Sequence, residues 1–238
     1  MKIYYQVLEA LNDLSTPEKA EFLPRFFKTG KGEYAAGDKF LGVIVPDSRK
    51  VAKHFASKTD FSDIQEMIQS EFHEMRLVAL LILIHKFEKS RDKNEQKQLV
   101  DFYLKNTKYI NNWDLVDLSC YKILGRYCFE NQKDEILQKL SESENMWEKR
   151  MPIVGTMFYI KKGKFDLTKE LTLKNLLHSH DLMHKANGWL LREMGKKNET
   201  ELLDFLRSHY QKMPRTSLRY AIERLDEELR QDFLKGRI

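Results

Sequence analysis

The segment NNWDLVDLSC, residues 111–120, places two side chains suited to positive charge on one predicted helix. If the helix begins after the capping amide of Asn112, Trp113 and Asp117 lie four residues apart and share one face. A carboxylate and the electron-rich face of an indole both attract cations. Because an ordinary core face would not carry that carboxylate, this pair is the first candidate for a functional site.

Two further residues recur at a spacing that predicts a repeated architecture. Arg150 follows Asp117 by 33 positions, and Trp189 follows Arg150 by 39. Helix-pair repeats of the HEAT type are about 40 residues long, so equivalent helices of consecutive repeats would present all three side chains on one surface. Trp147 is expected instead to fill a gap between helices, as an isolated tryptophan on a helix commonly does.

The elements that would position these residues are helices. Apolar residues recur at helical spacing, and the chain of 238 residues is 42% hydrophobic with only 10 glycines and 5 prolines. Capping patterns predict helix starts at Thr16 with Pro17, Pro46, Asn145, Asn198 and Pro214. We therefore predict an all-α fold over residues 1–238, a single domain of HEAT-like helical repeats forming a curved α-solenoid with a concave basic face. A compact irregular helical bundle is the competing fold.

The sequence also predicts the cellular compartment of the protein. The longest strongly apolar run, LVALLILI at residues 77–84, is far shorter than the roughly 20 residues that a bilayer requires, which predicts a buried helix. MKIYYQVLEALNDL does not resemble a signal peptide, and Cys120 and Cys128 suggest neither a disulfide framework nor a zinc site. We expect a cytoplasmic protein whose two cysteines are small core residues.

Two motifs have chemical interpretations that their surroundings weaken. Gly32 and Gly37 have the spacing of P-loop glycines, but Asp38 stands where that motif needs lysine, so an ordinary helix connection is predicted. His180 and His184 are four residues apart, as in zinc-binding helices, but no third ligand accompanies them. A polar surface role is favoured for these histidines, and we predict no metal site and no cofactor.

Basic residues gather at several places, and the formal net charge is +5. A solvated face explains most such clusters, but contact with a polyanion needs only positive charge within reach. The candidate phosphate-contacting residues are Lys161, Lys162, Arg215 and Arg219.

Five ordered segments resemble the signature segments of the DNA alkylation repair family, the AlkD-like DNA glycosylases. NNWDLVDLS, the WEKR that precedes an apolar helix, and KANGWLLREMGK carry the resemblance, and KTGKGEYAAGDKFLGVIVPDSRKVAK and YQKMPRTSLRYAIERLD extend it over nearly the whole chain. The resemblance implies a basic concave surface that holds duplex DNA and excision of cationic N3- and N7-alkylated purines. By the same resemblance, Asp117, Trp113 and Trp189 match catalytic cleft residues, and Arg150 matches an arginine that contacts DNA.

One residue departs from the pattern of the family. Pro152 follows Arg150 by two positions, where a residue with a backbone N–H is expected, and proline can kink or restart a helix. The orientation of Arg150 is therefore open at this point.

The resemblance favours a monofunctional glycosylase that transfers the sugar to water and works as a monomer on duplex DNA containing alkylated bases, without a membrane or an obligate protein partner. Association with the nucleoid would follow from DNA binding. The alternatives are a non-catalytic HEAT-like protein that binds DNA structures and a protein-interaction scaffold, since helical solenoids serve many functions.

Overall fold

A computed structural model describes residues 2–238, and 72% of these residues are helical. Within the described residues no β-strand forms, and an isolated bridge joins Lys39 to Phe72. The all-α prediction is thus confirmed. The chain divides into two compact units, the first ending at Ser119 and the second covering Cys120–Ile238. The single domain and the curved solenoid stay predictions.

The first unit is built around one buried helix. Its helices are α1 (Ile3–Asn12), α2 (Pro17–Phe22), α3 (Pro24–Phe27), α4 (Val45–Phe55), α5 (Phe61–Ile68), α6 (His73–Lys89), α7 (Lys93–Lys105) and α8 (Trp113–Cys120), which ends one residue beyond the unit. A 3₁₀ turn, Thr107–Tyr109, follows α7. In α6, 13 of the 17 residues are buried, and α4 and α5 pack against it. The apolar run at residues 77–84 is therefore the core helix that the sequence predicts.

The connection between α3 and α4 has no regular structure, but its second half is fixed to the start of α6. The buried carboxylate of Glu74 accepts hydrogen bonds from the backbone N–H groups of Leu41 (2.9 Å), Gly42 (2.9 Å) and Val43 (3.2 Å). A carboxylate that accepts several backbone N–H groups satisfies donors that would otherwise be buried without partners. The glycine-rich segment is thus a helix connection, as predicted.

The second unit begins with an irregular helical stretch, a π-turn at Tyr121–Gly125. Its helices are α9 (Arg126–Asn131), α10 (Asp134–Leu140), α11 (Met146–Lys161), α12 (Asp166–Lys174), α13 (Asp181–Lys197), α14 (Glu199–His209), α15 (Arg215–Ala221) and α16 (Glu227–Lys235), with a 3₁₀ turn at Tyr210–Lys212. α13 packs against α11, α14 and α15, and together these helices enclose an apolar cluster.

The five helix starts predicted from capping residues are all present, to within one residue. The side chain of Thr16 accepts from the N–H of Lys19, and Asn145 and Asn198 cap α11 and α14. Pro214 precedes α15, and Pro46 lies in the first turn of α4. The short polar side chains of Thr16, Asn145 and Asn198 accept N–H groups that a helix leaves unpaired at its start.

α11 runs without interruption through Pro152. Pro152 therefore does not restart the helix, although it removes one backbone hydrogen bond. The helix buries 11 of its 16 residues, and this packing outweighs the local cost of the missing bond.

Candidate functional site

The start of α8 carries two of the candidate site residues. Trp113 is its first residue, Asp117 lies one turn further on, and both side chains are half-buried. The side-chain oxygen of Asn112 accepts from the backbone N–H of Trp113 at 2.8 Å, and its carbonyl accepts from the N–H of Val116 at 3.1 Å. The predicted helix start and shared face are therefore present.

An aromatic stack supports the indole of Trp113. Its ring lies on that of Phe27, with centroids 5.3 Å apart and planes inclined by 16°. Phe27 stacks on Phe40 at 5.0 Å, and Phe40 stacks on the imidazole of His73 at 4.7 Å. Phe27 is the last residue of α3 and Phe40 lies within the irregular connection that follows, so this connection forms one side of the support for Trp113.

Charged side chains occupy the same region. The Nε2 atom of His73 lies 2.7 Å from a carboxylate oxygen of Asp114, the residue after Trp113. Asp38, on the connection, lies 2.8 Å from the guanidinium of Arg76 and 3.5 Å from Nδ1 of His73. These side chains, which we call the buried charge network (Asp38, His73, Arg76 and Asp114), are between 3% and 13% exposed.

The network shifts the pKa values of two of its members, His73 and Asp38. Burial alone would lower the pKa of His73, but the Asp114 and Asp38 carboxylates oppose this effect and raise the pKa to about 9. Burial would raise the pKa of Asp38, but His73 and Arg76 hold it below its ordinary value. His73 is therefore a cation near neutral pH, between two carboxylates.

The second unit carries the other two predicted site residues. Arg150, on α11, is only 4% exposed, and its guanidinium donates a hydrogen bond to the carbonyl oxygen of Leu182 near the start of α13. Its predicted contact with a DNA phosphate stays a prediction. What the structure adds is that Arg150 joins α11 to α13.

Trp189 lies on α13 and is half-buried against the apolar cluster of the second unit. The preceding residue, Gly188, allows α13 to approach α15 closely, because a Cβ atom there would lie 2.4 Å from the carbonyl oxygen of Ser217. Trp147 is 7% exposed, in agreement with its predicted packing role.

The candidate phosphate contacts lie in the second unit and are exposed. The ammonium group of Lys161 lies 4.5 Å from the ring centroid of Tyr121, and that of Lys162 lies 5.5 Å from that of Phe158. Arg215 donates to the carbonyl of Leu234 at 2.9 Å. Arg219 lies on α15 with Arg215. Their contact with DNA remains a prediction.

His180 and His184, which have the spacing of a metal-binding pair, contact backbone groups instead. His180 caps α13 by accepting from the N–H of Leu182 at 3.1 Å, and His184 contacts the carbonyl of His178. Among residues 2–238 no three histidines, cysteines or carboxylates lie close enough together to hold a metal ion. Cys120 and Cys128 are both buried, as predicted for small core residues.

The arrangement in the first unit suits chemistry that develops positive charge. Asp117 supplies a carboxylate on a short, firmly held helix, and Trp113 supplies an indole face one turn away. A preorganised carboxylate stabilises a cation without reorganising during the reaction. His73, which contacts the first turn of this helix through Asp114, belongs to no motif that the sequence analysis considered. The signal that could have found it is a histidine in a segment predicted to be buried.

None of the helices described in residues 2–238 combines the length and the apolar character needed to cross a membrane.

No curated protein matches the chain. A solved structure described as a "Predicted DNA alkylation repair enzyme from Enterococcus faecalis" is similar in fold, with a TM-score of 0.70 and 18% identity over 90% of this chain and 97% of that chain. The family model for DNA alkylation repair enzymes matches residues 7–225. With nearly its whole length matched, the chain belongs to the DNA alkylation repair enzyme family.

Proposed function

We propose that the protein is a monofunctional DNA glycosylase that removes positively charged alkylated purines, of the N3-methyladenine and N7-methylguanine type, from duplex DNA. The observation that carries the proposal is the pairing of Trp113 with Asp117 on α8, one turn apart and half-buried. Membership in the DNA alkylation repair enzyme family supports the DNA substrate.

The chemistry requires little beyond a placed carboxylate. The bond between C1′ of the deoxyribose and the base nitrogen breaks, its electron pair leaves with the base, and the base departs neutral. Positive charge develops on the sugar until water adds to C1′ and loses a proton. Asp117 stabilises that charge and orients the water. At about 4 Å and an effective dielectric of about 20, the attraction is on the order of 4 kcal/mol, or nearly a thousandfold in rate.

The remaining candidate residues have supporting roles in this proposal. Trp113 and Trp189 each offer an electron-rich face that attracts the cationic nucleotide. Arg150, Lys161, Lys162, Arg215 and Arg219 contact backbone phosphates, which supply affinity without reading sequence. In this proposal the protein works as a cytoplasmic monomer of HEAT-like repeats and associates with the nucleoid by binding DNA. The reaction uses no metal or organic cofactor.

The decisive experiment measures base release from duplex DNA containing a single N7-methylguanine, with N3-methyladenine as a second substrate. We expect Asp117→Asn to slow single-turnover release about a thousandfold, because it removes the charge that stabilises the sugar cation. The affinity for undamaged duplex should stay within about twofold, since phosphate contacts dominate that affinity.

Asp101→Asn is the matched control. Asp101 is an exposed carboxylate on α7 that pairs with Lys97, so its substitution should leave release unchanged. Equal release by wild type and Asp117→Asn would refute the role of Asp117. Strand cleavage without heat or alkali would refute a monofunctional reaction. Tight duplex binding without release of either base would favour a non-catalytic DNA-binding protein.

A further inference from the structure

The position of α8 needs an explanation, because the helix has only eight residues and carries both Trp113 and Asp117. So short a helix is not stable by itself, and its place is set by what it contacts. α6 is the rigid element of the first unit, since 13 of its 17 residues are buried. His73, the first residue of α6, contacts Asp114 in the first turn of α8.

The two oxygens of the Asp114 carboxylate have different partners. One oxygen accepts from the backbone N–H of Leu115 at 2.8 Å, inside the first turn of α8, and the other lies 2.7 Å from Nε2 of His73. The carboxylate therefore joins the first turn of α8 to α6. A charged hydrogen bond of this length is strong and directional, so it fixes an orientation as well as a distance.

Two other contacts reach the same turn. The side chain of Asn112 lies 3.5 Å from Asp38, whose carboxylate also faces Arg76 and His73. The indole of Trp113 lies on the aromatic stack that ends on the imidazole of His73. His73 is thus the residue at which the ion pairs and the aromatic stack meet.

Stability alone is a weak explanation for these charges. Removing a buried ion pair from water costs about as much as the attraction returns, and apolar residues of similar volume often serve as well or better. A directional hydrogen bond such as that between His73 and Asp114, unlike apolar packing, defines the position and orientation of the groups that it joins. Displacing a catalytic group by about 1 Å can lower a rate by about a hundredfold.

We infer that His73 is a positioning residue for the reaction: acting through Asp114 and the aromatic stack, it holds the start of α8 so that Trp113 and Asp117 face the substrate. This inference rests on the proposed glycosylase function. His73 acts through other residues, and its contribution is geometric.

The test compares His73→Gln and Asp114→Asn in full-length protein, with Asp101→Asn as the control for an exposed aspartate. We expect single-turnover release of N7-methylguanine to fall about 10- to 100-fold in His73→Gln and about tenfold in Asp114→Asn. The affinity for undamaged duplex should stay within about twofold. Asp114→Asn keeps the shape of the side chain and serves if His73→Gln does not fold.

A spectroscopic measurement separates positioning from general stability and does not depend on activity. In a protein with Trp147→Phe and Trp189→Phe, Trp113 is the remaining tryptophan, and its emission reports on the aromatic stack. The groups that face His73 are Asp114, Asp38 and Arg76. We expect Trp113 emission to titrate with a midpoint near pH 9, the pKa of His73, and this transition to vanish with His73→Gln. Tyrosine ionisation occurs in both proteins and can be subtracted.

The outcomes separate the two proposals. Release within twofold of wild type in both variants, or a Trp113 emission that does not respond to pH or to His73→Gln, would overturn the positioning role. A fall in release that merely follows a fall in duplex affinity would also overturn it. If wild type releases neither base, the glycosylase proposal fails, and the Trp113 titration still decides whether His73 positions α8.

Discussion

The two units hold their candidate site residues by different physical means. In the first unit, the start of α8 is fixed by charges and directed hydrogen bonds, with His73 between Asp114 and Asp38. In the second unit, Trp189 is fixed by apolar packing and by a close approach of α13 to α15 at Gly188. The stability of the first unit should fall when a substitution removes a charge without changing the size of the side chain. The stability of the second unit should fall when a substitution adds volume without changing the charge.

The contrast has a consequence for pH. The buried charge network depends on one histidine that is protonated near neutrality, whereas apolar packing carries no titrating group. A rise in pH through 9 should therefore weaken the first unit more than the apolar packing around Trp189.

The largest effect is expected from Asp38→Asn. The substitution keeps the size of the side chain but leaves the buried cations Arg76 and His73 without the carboxylate between them. Loss of one member of a buried ion pair costs about 3 to 5 kcal/mol, so the free energy of unfolding in urea should fall by about that amount. Asp101→Asn, which removes an exposed carboxylate, should change it by less than about 0.5 kcal/mol. Equal, small effects of the two substitutions would mean that the charges do not hold the first unit.

A smaller effect is expected from raising the pH. The pKa of His73 is about 9 in the folded protein against an ordinary value of 6.5, so its stabilisation is full below pH 6.5 and is lost as the pH rises through 9. The shift corresponds to on the order of 3 kcal/mol. Urea unfolding at pH 6, 7.5 and 9 should show this fall, and His73→Gln should remove it. His85 and His178 cannot cause it, because burial lowers the pKa of each and reverses the sign.

The smallest effect tests the second unit. Gly188→Ala would place a Cβ atom 2.4 Å from the Ser217 carbonyl oxygen and 2.5 Å from Cβ of Tyr220, and overpacking of this kind costs about 1 to 3 kcal/mol. Gly155→Ala is the control, since its Cβ would meet the movable end of Leu137 at 3.3 Å. We expect urea unfolding to show a loss for Gly188→Ala at every pH and little change for the control. A loss that varied with pH would contradict the contrast between the units.

Local signals in the sequence predict much of this fold. Caps such as Asn145 and Asn198 act within three residues of themselves, and the apolar run of α6 needs only its own composition to indicate burial. The pairing of Trp113 with Asp117 is also local, because helical periodicity alone places them on one face.

The remaining features depend on contacts between distant parts of the chain. His73 meets Asp114 across 41 positions, and neither residue belongs to a motif that requires the other. The effect of Pro152 is not decided locally, because its cost is offset by the packing of α11, which buries 11 of its 16 residues. The π-turn at Tyr121–Gly125 leaves no sequence signature, but Gly125 is required there, since a Cβ atom would lie 2.2 Å from the Gly155 carbonyl oxygen.

The anchoring of the connection after α3 by Glu74 divides that connection into two parts that should tolerate changes in length differently. The Glu74 carboxylate accepts hydrogen bonds from three consecutive backbone N–H groups, those of Leu41, Gly42 and Val43. A residue inserted among them would break at least one of these bonds. Gly32, at the exposed tip, adopts a positive φ and has open space beside it. The tip can therefore lengthen, or carry an attached label, while the base keeps Phe40 in the stack beneath Trp113.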